Sequence, residues 1–226
     1  MATELIRQAI VLNKQGKYAE AEPLFRRALV IDENELGKDH LIVAADLNNL
    51  AGLLQDQGKY AEAKSIYRRS LEIREKELGP DHPDVARSLN NLAGLLLAQG
   101  KYSEAEPLCR RSIAIKEKAF GSDHPSVSSS LNILAALLQA QAKYVEAEPL
   151  YRRSLAIWEK TFGSNHCYVA TSLNNLAGLL QVKGEYSEAE LLSRRAVAIL
   201  EKALGADHPN TIIVRNNLNE LLRKMR

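Results

Sequence analysis

The sequence predicts an all-α chain, a solenoid of stacked helix pairs with about eleven helices. Three observations carry that expectation. One 42-residue pattern returns along nearly all 226 residues without an insertion. A fixed period in this range marks a repeat array, in which each unit buries its apolar face on its neighbours. Apolar residues fall at i, i+3, i+4 and i+7, as in Leu47, Leu50, Ala51, Leu54 and again Leu89, Leu92, Ala93, Leu96, the spacing of one helix face. Glycine punctuates most copies twice, once before Lys-Tyr and once shortly before an Asp-His pair, as at Gly58 and Gly79.

The register describes a single repeat array over 1–226: units at 1–36, 37–78, 79–120, 121–162 and 163–204, and a closing helix at 205–226. Each unit reads as helix A, a Gly-Lys-Tyr turn and helix B. The opening segment Met1 to Gln15 reads as the second half of a helix A, without the Asp-His-Pro start. Gln8 stands where Leu50, Leu92, Leu134 and Leu176 stand later, and a polar residue there suits an end helix. Gly16, Gly58, Gly100 and Gly184 can take the left-handed conformation that ends a helix. Ala142 holds the same place and predicts slight strain or a longer helix.

Helix B runs from the tyrosine to the next Gly-x-Asp-His. Pro23, Pro107 and Pro149 are expected near its start, where a missing N–H costs little. Glu22, Glu106, Glu148 and Glu190 precede Arg26, Arg110, Arg152 and Arg194 by four residues, the favourable order for surface ion pairs. In the loop, Asp39, Asp81, Asp123, Asn165 and Asp207 are expected to cap the following helix A. The last segment replaces the alanine of the other copies by Asn219 and adds Arg223, Lys224 and Arg226, the polar face of a terminal cap.

Composition excludes several classes. Net charge is +2 with signs interspersed, so no basic stripe points to nucleic acid. No apolar run reaches bilayer length, and the N-terminus reads as amphipathic helix rather than signal peptide. Two cysteines, Cys109 and Cys167, make no disulfide framework, which points to a reducing, cytoplasmic setting. Cys109 shares a row with Phe25, Tyr67, Tyr151 and Ser193 and reads as a packing residue. No nucleophile–base pair, metal-ligand cluster or phosphate loop is present, so neither enzyme activity nor a cofactor is expected. The five histidines occupy one loop position each, which suits packing at helix starts. The Arg-Arg pairs of helix B read as a solvated face. Trp158 breaks a mostly charged row of Asp32, Arg74, Lys116 and Leu200 and is a weaker candidate contact point.

One row is not demanded by stacking. Helix A carries Asn48-Asn49, Asn90-Asn91, Asn132-Ile133, Asn174-Asn175 and Asn216-Asn217, although asparagine costs a helix interior up to about 0.7 kcal/mol against alanine. Asn48, Gly52 and Gln55 share a face, as do Asn132, Ala136 and Gln139, and Asn174, Gly178 and Gln181. A carboxamide offers donor and acceptor together. Such a ladder can hold an extended peptide backbone, or it can brace neighbouring helices; both readings stand at this point.

The helix A, Gly-Lys-Tyr, helix B layout, with the alanines Ala21, Ala63, Ala105, Ala147 and Ala189, resembles the tetratricopeptide repeat. LNNLAGLL, GKYSEAEPLCRRSIAIKEK and GPDHPDVA resemble the repeats of kinesin light chains, and the near-identity of the copies resembles bacterial proteins of that type. The resemblance implies a right-handed superhelix with helix A on its concave side, and a protein or peptide partner. By that resemblance, Asn48, Asn49, Asn90, Asn91, Asn132, Asn174, Asn175, Arg87, Gln55, Gln139 and Gln181 are candidate peptide-binding residues. Kinesin light chains carry a heptad coiled coil before their repeats, and this sequence has none. The inner helices carry little positive charge beyond Arg87 and Lys183, so weaker selectivity for acidic ligands is expected. The alternative is an architectural module that self-associates through open solenoid ends.

Overall fold

Helix follows helix throughout the computed structural model, which describes residues 1–225. The described residues form eleven α-helices and no strand: α1 Ala2–Lys14, α2 Tyr18–Leu36, α3 Leu41–Asp56, α4 Tyr60–Leu78, α5 Pro83–Ala98, α6 Tyr102–Phe120, α7 Pro125–Ala140, α8 Tyr144–Phe162, α9 Cys167–Lys183, α10 Tyr186–Leu204 and α11 Pro209–Lys224. Odd-numbered helices are the A helices and even-numbered ones the B helices, as the repeat predicts. Arg226 lies outside the described residues. The chain divides within α6 into two compact units, Met1–Ile115 and Lys116 onward. Within each unit, successive helices pack on one another.

The core is built from the small and large residues the pattern marks. Leu47, Leu50, Leu53 and Leu54 of α3 and their counterparts Leu89, Leu92, Leu95 and Leu96 of α5 are buried. The helix B alanines Ala21, Ala63, Ala105, Ala147 and Ala189 are fully buried, which lets the two helices of a pair approach closely. A hydroxyl locks three of the pairs further. Ser70 Oγ donates to the Ala44 carbonyl at 2.6 Å, Ser112 to Ala86 at 2.8 Å and Ser154 to Ser128 at 3.2 Å.

The turns follow the glycines. Gly58, Gly100 and Gly184 have φ of +76°, +70° and +83°. Ala142 adopts the same conformation at φ +59°, alone among the described non-glycine residues. Its helix keeps the length of α3 and α5, at 16 residues, so the sequence's departure is absorbed as backbone strain rather than as extra helix.

Three expectations are corrected. The N-cap of each later A helix is the histidine, not the preceding aspartate. His40, His82, His124, His166 and His208 each accept, through Nδ1, the backbone N–H two residues on, at 3.1–3.2 Å. An Nδ1 acceptor requires the proton on Nε2. Asp39 and Asp123 instead reach Lys76 and Lys160 of the following B helices at 2.5 and 2.8 Å. Second, Pro23, Pro107 and Pro149 lie inside their helices, in the second turn. The carbonyls they leave without a helical donor belong to exposed Ala19, Ser103 and Val145, where water can serve them. Third, the row of Trp158 is an interior row. Asp32, Arg74, Lys116 and Leu200 are 7%, 3%, 6% and 3% exposed. Arg74 donates to Ser88 Oγ at 2.6 Å and Lys116 to Ser130 Oγ at 2.7 Å, while Trp158 packs on Tyr168 with centroids 4.7 Å apart.

Candidate functional site

The asparagine rows sit on a half-buried face of the A helices. Asn48, Asn49, Asn90, Asn91, Asn132, Asn174 and Asn175 are all of intermediate exposure. Part of each row braces the array. Asn91 Nδ2 donates to Asn48 Oδ1 at 2.7 Å in the first unit, and Asn217 Nδ2 donates to Asn174 Oδ1 at 3.1 Å in the second. Each bond joins the second asparagine of one A helix to the first asparagine of the A helix before it. The brace is not made everywhere. Asn90 Oδ1 and Asn132 Oδ1 are buried with no hydrogen-bond partner, although Asn175 is present in the register that would serve Asn132. An unpaired buried acceptor costs on the order of 1–3 kcal/mol, so the row is not fully satisfied by bracing.

The second unit holds a cavity of about 330 Å³ on this face. It is lined by Gln139 of α7, Tyr151 of α8, Asn174, Asn175, Gly178, Gln181 and Val182 of α9, Ser193 of α10, and Asn217 and Glu220 of α11. Four of the sequence-predicted residues therefore meet here: Gln139, Asn174, Asn175 and Gln181. The Tyr151 hydroxyl donates to Gln139 Oε1 at 3.2 Å, which fixes that carboxamide and leaves its N–H groups to the cavity. Burial pushes the Tyr151 phenol above its ordinary range, so it stays a neutral donor.

The cavity exists because of one residue of helix B. In the first unit the corresponding helix A glycine is Gly52, and a methyl group there would meet the Tyr67 hydroxyl at 3.5 Å. At Gly178 nothing lies within 4 Å, because the tyrosine's place is taken by buried Ser193. The row of Phe25, Tyr67, Cys109, Tyr151 and Ser193 reads in the sequence as packing alone. Its change from ring to hydroxymethyl is the signal that marks the cavity.

The other candidates are not among the residues that line this cavity. Gln55 is half-buried on α3. Arg87 is largely exposed and pairs with Asp84 one turn earlier at 3.0 Å. Lys183 is held by Glu148 and Glu185. No cation lines the cavity, and its one acid, Glu220, pairs with Lys224 at 2.9 Å.

A repeat family profile described as tetratricopeptide repeat matches residues 1–54, 44–118, 84–160, 126–202 and 168–226. The chain belongs to the tetratricopeptide repeat family. Solved structures place it among kinesin light chain-like members. A Podospora anserina protein of that type, with nearly identical TPR-like repeats, is 30% identical over 89% of this chain and 96% of that one, with a TM-score of 0.71. BtubC (BKLC) from P. vanneervenii is 25% identical over 89% and 80%, with a TM-score of 0.73. The apo form of RapI shares the fold at 16% identity and a TM-score of 0.74. No curated protein matches the sequence.

On this tetratricopeptide repeat array the helix B arginines are structural. Arg26, Arg110, Arg152 and Arg194 pair with the glutamate four residues earlier. Arg111 pairs with Glu75 at 2.5 Å, and Arg153 and Arg195 pair with Glu117 and Glu159 at 2.6 Å. The last three also donate to a loop carbonyl, at Pro80, Ser122 and Ser164. They stitch neighbouring B helices rather than present a phosphate site. No group of three or more histidine, cysteine or acidic side chains among the described residues is placed to hold a metal ion. No described helix is long and apolar enough to cross a membrane.

Proposed function

We propose that this chain is a protein-interaction scaffold that holds an extended peptide segment along the A helices and seats one of its side chains in the Gly178–Ser193 cavity. The observation that carries the reading is the cavity's chemistry. Five carboxamides and two hydroxyls converge there without a cation, at a volume within the range of ligand sites. Carboxamides satisfy a peptide backbone whatever its side chains. The hole itself has the place that Tyr67 fills beside Gly52, so it accepts a side chain of up to ring size. The absence of lining cations argues for a ligand that is not selected by acidity. This reading places the chain in the cytoplasm, where its two thiols, neither in a disulfide, stay reduced.

The test is a peptide array probed with the full chain, followed by titration of the best hit by fluorescence anisotropy. Asn174→Ala and Ser193→Tyr are each expected to weaken that hit by about tenfold, equivalent to about 1.4 kcal/mol. The first removes a carboxamide contact, and the second fills the seat. Unchanged affinity in both variants, and in Asn90→Ala, would sink the reading.

A further inference from the structure

In the repeat register, a position on each B helix is matched by one 14 residues on, in the following A helix. At two joints that pair is a cation and a hydroxyl, Arg74 with Ser88 and Lys116 with Ser130. At α10 and α11 it is apolar, Leu200 with Val214 in one cluster. At α2 and α3 both members are acids, Asp32 and Asp46. They are only 7% and 3% exposed, and they hold the register at which Arg74 reaches Ser88 at 2.6 Å. Two carboxyls buried against each other cannot both ionise, so the pair keeps one proton. Asp46 Oδ2 is buried with no partner at all.

The charged groups on the packed helices do not relieve the pair. On α1, Glu4 and Arg7 take each other. On α2, Arg26 is held by Glu22 and Glu62, and Glu33 by Arg69 of α4. On α4, Arg74 is bonded to Ser88 and Lys76 to Asp39. His40, at the head of α3, is committed to its cap. The charge that acts on Asp46 is that of Asp32.

We propose that the α2–α3 joint is a proton-gated contact: it closes with one proton shared between Asp32 and Asp46, and it opens when that proton leaves. Two buried like charges would then face each other without a counter-ion, at a cost the joint cannot hold. Opening exposes the Leu29, Val43 and Leu47 contact. It also frees α3, which carries Asn48 and so the first braced rung of the asparagine row. Burial first, and then the Asp32 carboxyl, push the Asp46 group up to about 7. The folded joint thus holds a proton that the unfolded chain releases near the ordinary aspartate value of about 3.9. The joint is most stable below that value and weakens as pH rises toward about 7, by at most about 1.4 kcal/mol per pH unit. Ion-paired carboxylates have the opposite sign and a separate window. Glu22, held down to about 2 chiefly by Lys59, loses its contribution only as pH falls below the ordinary range.

The test is hydrogen–deuterium exchange on the full chain at about pH 5.5 and about pH 8, each amide corrected for its intrinsic rate. Amides of α2 and α3 are expected to lose at least tenfold in protection at the higher pH, while those of α9 and α10 hold theirs. Asp46→Ser, and the double change Asp32→Arg with Asp46→Ser that copies Arg74 and Ser88, are expected to remove the difference. If a variant does not fold, the infrared C=O stretch of a protonated carboxyl, present near pH 6 in the parent chain and lost in Asp46→Asn, gives the same answer. Equal protection of α2 and α3 at both pH values, an undiminished pH difference in the folded double variant, or no protonated-carboxyl band would overturn the proposal.

Discussion

Gly52 and Gly178 occupy the same place on helix A, three periods apart, and end in different surroundings. Each follows an asparagine pair by three residues, and in each case the first asparagine of that pair is braced by a neighbouring A helix. Over Gly52 lies the Tyr67 ring; over Gly178 lies open space. The difference comes from position 67 against 193, on the other helix of the pair. Helix A is nearly invariant here because it carries the stacking leucines and the rungs. Individuality therefore falls to the helix B residue that looks through the helix A glycine.

The largest expected effect is the one that makes the first unit like the second. Tyr67→Ser removes a ring that is only 5% exposed and should destabilise the first unit by about 3–5 kcal/mol, the usual range for deleting a buried aromatic. Its phenol, pushed up to about 12 by burial and then by Asp56, is neutral at every working pH, so the loss should not vary between about pH 6 and 9. Denaturant unfolding at two pH values measures both. A loss under about 1 kcal/mol would mean that the surroundings collapse into the space, and the contrast between the two glycines would lose its physical basis.

The next effect concerns the rung that both units share. Asn91→Ile copies what the chain itself has at Ile133, and it leaves Asn48 Oδ1 without its donor. The expected cost is about 1–2 kcal/mol. The side-chain amide protons of Asn48 should shift by NMR and those of Asn91 should be lost, while those of Asn174 and Asn217 stay in place. If stability does not change, the rungs do not hold the repeat geometry, and the asparagine row is kept for ligands alone.

Much of this was legible in one dimension, and the exceptions share a cause. The period, the helix pairs, the glycine turns and the glutamate–arginine pairs of helix B all depend on residues near in sequence, and they stand as read. The caps were misread because the competing groups are remote. Asp39 and Asp123 have the better capping chemistry, but lysines 37 residues later take them, and the histidines remain for the helix. The row of Asp32, Arg74 and Lys116 is buried although charge usually marks a surface. Its partners lie across a helix joint, 14 residues on, and only packing reveals them. The candidate site divides likewise. The carboxamides of helix A stood out by their helical cost, whereas Tyr151 and Ser193 were hidden among residues that serve packing in every other copy.

The smallest effect tests the turn that joins the two helices of a pair. Gly184 follows α9 and Ala142 follows α7, both left-handed, at φ +83° and +59°. An alanine there costs about 1–2 kcal/mol of backbone strain, while glycine gives back part of that through the freer unfolded chain, about 0.4–1 kcal/mol. Ala142→Gly should therefore stabilise the second unit by about 0.5–1 kcal/mol, and Gly184→Ala should destabilise it by a similar amount. Ala142 is exposed, so neither packing nor hydrogen bonding should blur the comparison. Thermal unfolding of the pair of variants reads it directly. Opposite shifts of similar size tie the effect to the turn conformation. A shift of the same sign in both would mean that the two turns differ by more than their side chain.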